Sequence, residues 1–280
     1  MNLENAINKA CQTLLTKKIK SPKLDSEILM SKVINKNRED IIFNLQSNLN
    51  ENCLKKFNDL IYQRSLGKPI AYLIGKKYFW NYEFKVTKDV LIPRPDTELL
   101  IEEILKITKL KSKLRVLDIG VGSGCILLSI LMEKNDFYGV GIDISRKCLE
   151  ISKKNASNLG ILNRLKFFET NVDNFNYGKY DLIVSNPPYI NQLDLNNLDN
   201  GIKKFEPNQA LNGGLDGLSE IKKVINKSAR LIKTNGKLIL EIGFDQKNKV
   251  KKLLTDKGFY INKVLKDYAK NDRCIVSTKK

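Results

Sequence analysis

The chain has 280 residues, 42% of them hydrophobic and 29% charged, with 49 Lys+Arg against 31 Asp+Glu, a formal net charge of +18, and no histidine. A chain of this length supports one large core, or one core plus a small accessory domain, and its composition is that of a folded protein rather than a disordered one. Without histidine, Ser-His-Asp and Cys-His pairs and imidazole metal ligands are excluded, so catalysis must draw on carboxylates, Lys, Tyr, backbone dipoles or a bound cofactor.

The opening Met1-Asn2-Leu3-Glu4 lacks the charged start and apolar core of a signal peptide. No apolar run approaches the ~20 residues that span a bilayer. The cysteines, at 11, 53, 125, 148 and 274, are odd in number and form no C-x-x-C, which argues against a disulfide framework and against a zinc site. A reducing cytoplasm is the expected compartment, with no membrane contact and no metal.

Residues 1–75 read as a small helical bundle. Ser21 or Pro22 opens one helix, in which Leu24, Ile28, Leu29 and Val33 recur at helical spacing; Leu54, Phe57, Leu60 and Ile61 repeat the pattern. Residues 76–96 read as a hairpin linker. They concentrate Tyr78, Phe79, Trp80, Tyr82 and Phe84, whose expected role is packing, and Val86 to Ile92 is strand-like. From residue 97 to 280 the pattern alternates. Helices are expected at 98–110, 126–133, 146–159, 218–232 and 246–257. Strands are expected at 114–119, 137–142, 165–168, 181–184, 237–242, 261–265 and 274–277. Such alternation implies an α/β fold with a largely parallel sheet covered by helices on both faces. The last two strands have no helix between them and should pair antiparallel.

The first strand of this region, Val116-Leu117-Asp118-Ile119, runs into Gly120-Val121-Gly122-Ser123-Gly124. Glycines let a ligand approach the backbone, and the next helix offers free N–H groups. A dinucleotide fingerprint would be G-x-G-x-x-G, but here the third glycine comes one residue early. Asp118 would repel a pyrophosphate and tolerate the cationic methionine moiety of S-adenosylmethionine. Asp143, ending the second strand, can accept both ribose hydroxyls. Gly120, Gly122 and Gly124 alone would equally suit a generic tight turn. Two acids at successive strand ends favour S-adenosylmethionine.

The fourth strand, Tyr180 to Ser185, ends in Asn186-Pro187-Pro188-Tyr189. Ligand chemistry in open parallel sheets gathers at carboxyl strand ends, so this tetrapeptide should lie beside the glycine turn. A planar –NH2 group is a poor nucleophile because its lone pair is delocalised. Acceptors placed on its two hydrogens can turn that lone pair toward an electrophile. Asn186 supplies a side-chain oxygen, Pro187 a carbonyl whose direction the prolines stiffen, and Tyr189 a flat wall. A sulfonium methyl could then transfer in line without a histidine base.

At these residues the chain resembles the peptide chain release factor glutamine methyltransferases over essentially its whole length. The segments that carry the resemblance are Asp118–Gly124, Asn186-Pro187-Pro188-Tyr189-Ile190 and Leu91-Ile92-Pro93-Arg94-Pro95-Asp96-Thr97-Glu98. Supporting segments are Pro69 to Gly75, Phe205-Glu206-Pro207 and Asp267-Tyr268. The resemblance implies an N-terminal helical substrate-recognition domain, a hairpin linker and a Rossmann-like seven-stranded S-adenosylmethionine methyltransferase domain. It implies methylation of the side-chain amide nitrogen of the Gln in the Gly-Gly-Gln motif of translation release factors. It assigns Asp118, Gly120, Gly122, Gly124, Asp143, Asn171 and Asn186 to the cofactor. Arg94, Pro95, Asn186, Pro187, Pro188 and Tyr189 fall to the substrate, with Asn186, Pro187 and Tyr189 catalytic. A ring such as Phe79 or Trp80 would border the cofactor. Two positions depart from the family pattern. Val121 stands where the family has Thr. Asn171, followed by Val172, stands where the family has Asp at the adenine amino group, with Asp173 as the alternative.

The basic surplus is spread, +7 over residues 1–111 and +11 over 112–280, and is almost all Lys, since Arg occurs at only eight positions. That pattern suits a solvated surface better than a nucleic-acid stripe. Competing readings are glutamine methylation of a ribosomal protein, amino methylation of a nucleic-acid base, and a catalytically idle cofactor-binding scaffold. The intact Asn186-Pro187-Pro188-Tyr189 argues against the last.

Overall fold

Helix α1 (Leu3–Thr16) starts at Asn2, whose side-chain oxygen accepts the Asn5 N–H at 3.0 Å. That bond satisfies one of the four amides left open at a helix start. Its Leu3, Ala6, Ile7, Ala10 and Leu14 recur three and four apart and all are buried. Helices α2 (Pro22–Ile34), α3 (Arg38–Phe43), α4 (Glu51–Ser65) and α5 (Ile70–Ile74) follow. Leu29, Met30, Ile41, Phe57, Ile61 and Leu73 complete a core with the α1 stripe.

The inward face of α2 differs from the sequence expectation. Leu24 is 43% exposed, while Asp25, Ser26 and Glu27 are buried beside Leu29 and Met30. The face can be polar because its charges are matched: Arg64 Nε meets Asp25 Oδ2 at 2.7 Å and Arg38 Nε meets Glu27 Oε2 at 2.6 Å. Hydrophobic spacing cannot reveal such a face, since pairing replaces apolarity as the reason for burial.

The computed structural model describes all 280 residues and divides them into two units, Met1–Lys76 with Asp199–Phe205, and Lys77–Leu198 with Glu206–Lys280. From the boundary at Lys76, β1 (Lys76–Phe79) and β2 (Tyr82–Lys85) form a hairpin. Phe79 and Phe84 are buried and meet edge to face with centroids 6.2 Å apart. At the hairpin turn, one oxygen of Glu133 accepts from Trp80 Nε1 (2.7 Å), Tyr82 Oη (3.1 Å) and Asn81 Nδ2 (3.2 Å). The strand-like run Val86–Ile92 is not a strand. Thr87 O accepts the Val90 N–H in a turn, and Pro93 and Pro95 follow. Val86 and Val90 are apolar because they are buried, not because they belong to a sheet.

The remaining elements are α6 (Glu98–Ile107), β3 (Arg115–Ile119), α7 (Cys125–Glu133), β4 (Tyr138–Asp143), α8 (Arg146–Asn158), β5 (Leu165–Glu169), β6 (Tyr180–Ser185), α9 (Asn200–Phe205), α10 (Ser219–Leu231), β7 (Ile232–Glu241), α11 (Lys247–Asp256), β8 (Phe259–Lys266) and β9 (Asp272–Lys279). The seven-stranded sheet has the order β5-β4-β3-β6-β7-β9-β8. Its first five strands are parallel. The final pair is antiparallel, as expected, and β9 inserts between β7 and β8. Strand β7 begins at Ile232, five residues before the expected start, and reaches back to pair with Tyr180 across an irregularity in register.

Alternate side chains take opposite faces. Val116, Leu182 and Ile239 join the core with α6, α7 and α8, whereas Leu117, Ile183 and Leu238 join the core with α10 and α11. The order reverses direction between β3 and β6, where a crevice opens at the carboxyl ends. This is the α/β, Rossmann-like seven-stranded arrangement expected from the sequence.

Asp25→Ala should destabilise the helical unit by roughly 3–5 kcal/mol, because it leaves the Arg64 guanidinium without its buried partner. Urea unfolding with hydrogen exchange on α2 and α4 checks this. An unchanged midpoint would show the pair to be dispensable.

Candidate active site

Strand β3 ends where its backbone must turn sharply against β4. The Gly120 and Val121 N–H groups both donate to Ile142 O at 2.9 Å. Gly120, Gly122 and Gly124 have φ of +78°, +55° and +84°, a region other residues enter at a cost. A Cβ on Gly124 would stand 2.9 Å from Leu128 Cδ1 and 3.2 Å from Ser152 Oγ. A Cβ on Gly120 would meet nothing within 4 Å and would fill the open side of the turn instead. Gly124 therefore lets the loop pack, and Gly120 keeps it open to a ligand.

Two side chains hold the loop. Asp143 accepts the Gly122 N–H at 3.0 Å on one oxygen and the Ser145 N–H at 2.9 Å on the other. Burial pushes its carboxyl up, and those amides pull it back. Asn155 on α8 donates to Ser123 O at 2.8 Å and accepts the Lys85 N–H at 2.8 Å, joining loop and hairpin.

Asp118 is different. It is 1% exposed, and neither carboxylate oxygen has a hydrogen-bond partner. Burial raises its pKa from 3.8 to about 7; the nearby Leu127 amide, which does not reach hydrogen-bond geometry, offsets this only in part, and the charge of Asp143 adds to it. A shift of that size amounts to roughly 4 kcal/mol against ionisation. An unpartnered buried carboxyl of this kind marks a place where a cation is wanted nearby.

A cavity of about 440 Å³ lies at the carboxyl ends of β3, β4 and β6. Of the residues expected from the sequence, Gly120, Gly122, Asp143, Asn171, Asn186, Pro187 and Pro188 line it. Asp118, almost fully buried, is not among the lining residues. Gly124, Arg94, Pro95 and Tyr189 are also outside the lining, as are Phe79 and Trp80, whose rings serve packing and the hairpin turn. Asn171 Oδ1 already accepts the Asp173 N–H at 3.0 Å, so one of its two lone pairs is used in a local turn. Sequence reasoning missed other wall residues, among them Asp89, Leu91, Asn208 and Lys223. They come from the irregular linker, a short loop and α10, and apart from Leu91, at the head of the Leu91–Glu98 segment, nothing local marks them.

The residues outside the lining brace it. Arg94 Nη2 pairs with Glu206 Oε1 at 2.5 Å, and Glu206 also accepts the Ile92 N–H at 3.3 Å. The Ile92-Pro93-Arg94 segment is thereby tied to Glu206. Pro95 opens the 3-10 turn Pro95–Thr97, which delivers Thr97 to the β7 end. Thr97 Oγ1 donates to Glu241 Oε2 at 2.6 Å, and Asn186 Nδ2 donates to Thr97 Oγ1 at 3.3 Å. Tyr189 Oη donates to Glu241 Oε1 and accepts from Arg273 Nη1, both at 3.3 Å. Gln246 Nε2 donates to Tyr189 O at 2.9 Å and to Gly217 O at 3.0 Å. Asn186-Pro187-Pro188-Tyr189 is thus held at both ends. Glu241 and Arg273 were missed from the sequence, and Thr97 was named only within the Leu91–Glu98 segment, without a role. The one available signal was an acid closing the apolar run Leu238-Ile239-Leu240.

The family model described as PrmC N-terminal domain matches residues 5–75, and the one described as Methyltransferase small domain matches residues 95–204. The release factor glutamine methyltransferase of Buchnera aphidicola subsp. Schizaphis graminum is 38% identical over 281 residues, covering 100% of both chains. That of Clostridium acetobutylicum is 35% identical, covering 100% of this chain and 99% of its own. Among solved structures, the ribosomal protein L11 methylase of Lactobacillus delbrueckii subsp. bulgaricus aligns with a TM-score of 0.52 at 17% identity, over 73% of this chain and 90% of that one, a likeness of fold alone. Full-length identity at this level, together with both matched models, shows that the chain belongs to the release factor glutamine methyltransferase family.

Proposed function

We propose that this protein transfers a methyl group from S-adenosylmethionine to the side-chain amide nitrogen of the Gln in the Gly-Gly-Gln motif of translation release factors. The carrying observation is that one cavity wall holds both the open glycine turn (Gly120 and Gly122) and the Asn186-Pro187-Pro188 acceptors. The family supports the release factor as substrate. A substrate of the translation apparatus acts in the cytoplasm, and no helix here is long and apolar enough to cross a membrane.

The residues fit the cofactor. The open face of Gly120 admits a ligand against the backbone, Asp143 keeps lone pairs for hydroxyls, and the unpartnered Asp118 favours a positive charge nearby. Asn171 can still accept from an adenine amino group with its second lone pair. Bound S-adenosylmethionine would supply an electrophilic methyl on a sulfonium. Asn186 Oδ1 and the Pro187 carbonyl would accept the two N–H bonds of the glutamine amide and aim its lone pair. The nitrogen sheds its extra proton after transfer, so no base is required. Tyr189 serves as an anchor, since its hydroxyl is held by Glu241 and Arg273. Arg94 supports the mouth through Glu206. The helical unit, residues 1–75, is assigned to recognition of the release factor.

Incubating purified release factor with labelled cofactor and mapping the methyl group by mass tests the reading. Label on the Gly-Gly-Gln glutamine supports it; label on another protein, on nucleic acid or on nothing overturns it. Asn186→Ala should leave cofactor affinity nearly intact and lower turnover by about 10²–10³-fold, the scale for removing an oriented partner of the reacting group. Calorimetry and the transfer assay check both halves.

Asp118 gives a pH signature. Its pKa is raised in the folded state, from 3.8 to about 7. The folded protein therefore binds that proton more tightly than the unfolded chain does. The stability this contributes is complete below about pH 4 and is lost as pH rises toward 7, by an amount on the order of a few kcal/mol. Asp118→Asn should flatten this part of the melting-temperature profile of the cofactor-free protein. The same variant should weaken cofactor binding most above pH 7, where the wild-type carboxylate is charged. Parallel profiles for the two proteins would contradict the assignment.

A further inference from the structure

We infer that Glu241 is a positioning residue that sets which way round the Asn186 amide sits, acting through the hydroxyl of Thr97. The inference rests on the functional reading above and deepens it.

An asparagine amide has two orientations of nearly equal shape. One presents Oδ1 to the cavity as an acceptor; the other presents an –NH2 group. Only the first can take an N–H of a substrate amide, because two donors facing each other cannot bond. Packing alone discriminates poorly between oxygen and nitrogen, so the orientation must be set by what the far side of the amide meets. Here the far side is Nδ2, which donates to Thr97 Oγ1 at 3.3 Å.

A threonine hydroxyl can donate once and accept twice, so Thr97 by itself fixes nothing. Its proton is committed to Glu241 Oε2 at 2.6 Å. An ionised carboxylate is acceptor-only. With the proton drawn to Glu241, Oγ1 can only accept from Asn186, and Nδ2 must face it. The direction of each bond follows from the one before.

The other oxygen of Glu241 accepts from Tyr189 Oη at 3.3 Å, and Arg273 Nη1 donates to that same hydroxyl at 3.3 Å. Asp267 holds the guanidinium, with Nη2 to Oδ2 at 3.0 Å. One carboxylate thus serves both the first and the last residue of Asn186-Pro187-Pro188-Tyr189. Glu241 is only 2% exposed, and burying a carboxyl there costs stability that an apolar residue would not. Directing the amide gives that cost a use.

The test uses the full-length protein with release factor and labelled cofactor at pH 8.5, where Glu241, whose pKa burial raises to about 7, is ionised. Glu241→Gln keeps the shape, but its amide can donate to Thr97 and reverse the direction of the chain. Its kcat should fall by about 10–100-fold, while cofactor Kd and release factor KM stay within about twofold and the melting temperature does not drop. Thr97→Ser retains the hydroxyl and should keep kcat within about threefold. Thr97→Val should resemble Glu241→Gln, and the double variant should lose little more than either alone. A Glu241→Gln kcat within twofold of wild type overturns the inference. So does a loss that follows cofactor affinity or melting temperature, or an equal effect of Thr97→Ser and Thr97→Val. If wild type labels an acceptor other than the release factor, the functional reading fails, and the same variant-to-wild-type ratios, measured on that acceptor, still decide the role of Glu241.

Discussion

Polar side chains that end buried strands must find partners at the carboxyl edge of the sheet, and this one constraint organises the second unit. The buried stretches of β3, β4, β6 and β7 place Asp118, Asp143, Asn186 and Glu241 within a residue of their carboxyl ends. In an interior of low dielectric an unmatched polar group costs on the order of several kcal/mol, so each is either paired or left waiting for a ligand. Asp143 is paired with the glycine loop, Asn186 with Thr97, and Glu241 with Thr97 and Tyr189. Asp118 is not paired, and it therefore holds its proton up to about pH 7. Stability and ligand binding therefore meet at the same strand ends.

The supports run outward from there. The segment from Ile92 to Thr97 looks irregular, yet nearly every group in it is used. Ile92 and Arg94 reach Glu206, and Thr97 reaches Glu241. Pro93 and Pro95 keep Ile92 and Arg94 extended without sheet partners, and Pro95 then opens the 3-10 turn. Strand β9 contributes Arg273 because it inserts between β7 and β8, which brings its start to the end of β7. A last strand added at the edge would have left Tyr189 without that donor.

Some of this was legible in the chain alone. The alternation of helices and strands, the glycine turn after Asp118, the acid at Asp143 and the Asn186 tetrapeptide are local patterns, and local geometry makes them. Element boundaries agreed within a few residues except at Val86–Ile92, where burial without pairing imitated a strand, and at β7, which started early. The polar face of α2 was hidden because Asp25 and Glu27 owe their burial to Arg64 and Arg38, distant by 39 and 11 residues.

The sequence by itself determined the fold class, the order of elements, the glycine turn and the acceptor tetrapeptide, because each depends on residues within a few positions of one another. Only the tertiary structure decided which candidates line the cavity and which brace it. Asp118, Arg94 and Tyr189 fell outside the wall, and Thr97, Glu241 and Arg273 entered the network. The physical reason is sequence distance. Thr97 meets Glu241 across 144 residues and Asn186 across 89. A hydrogen bond of that span is set by strand order and register, which no short pattern encodes.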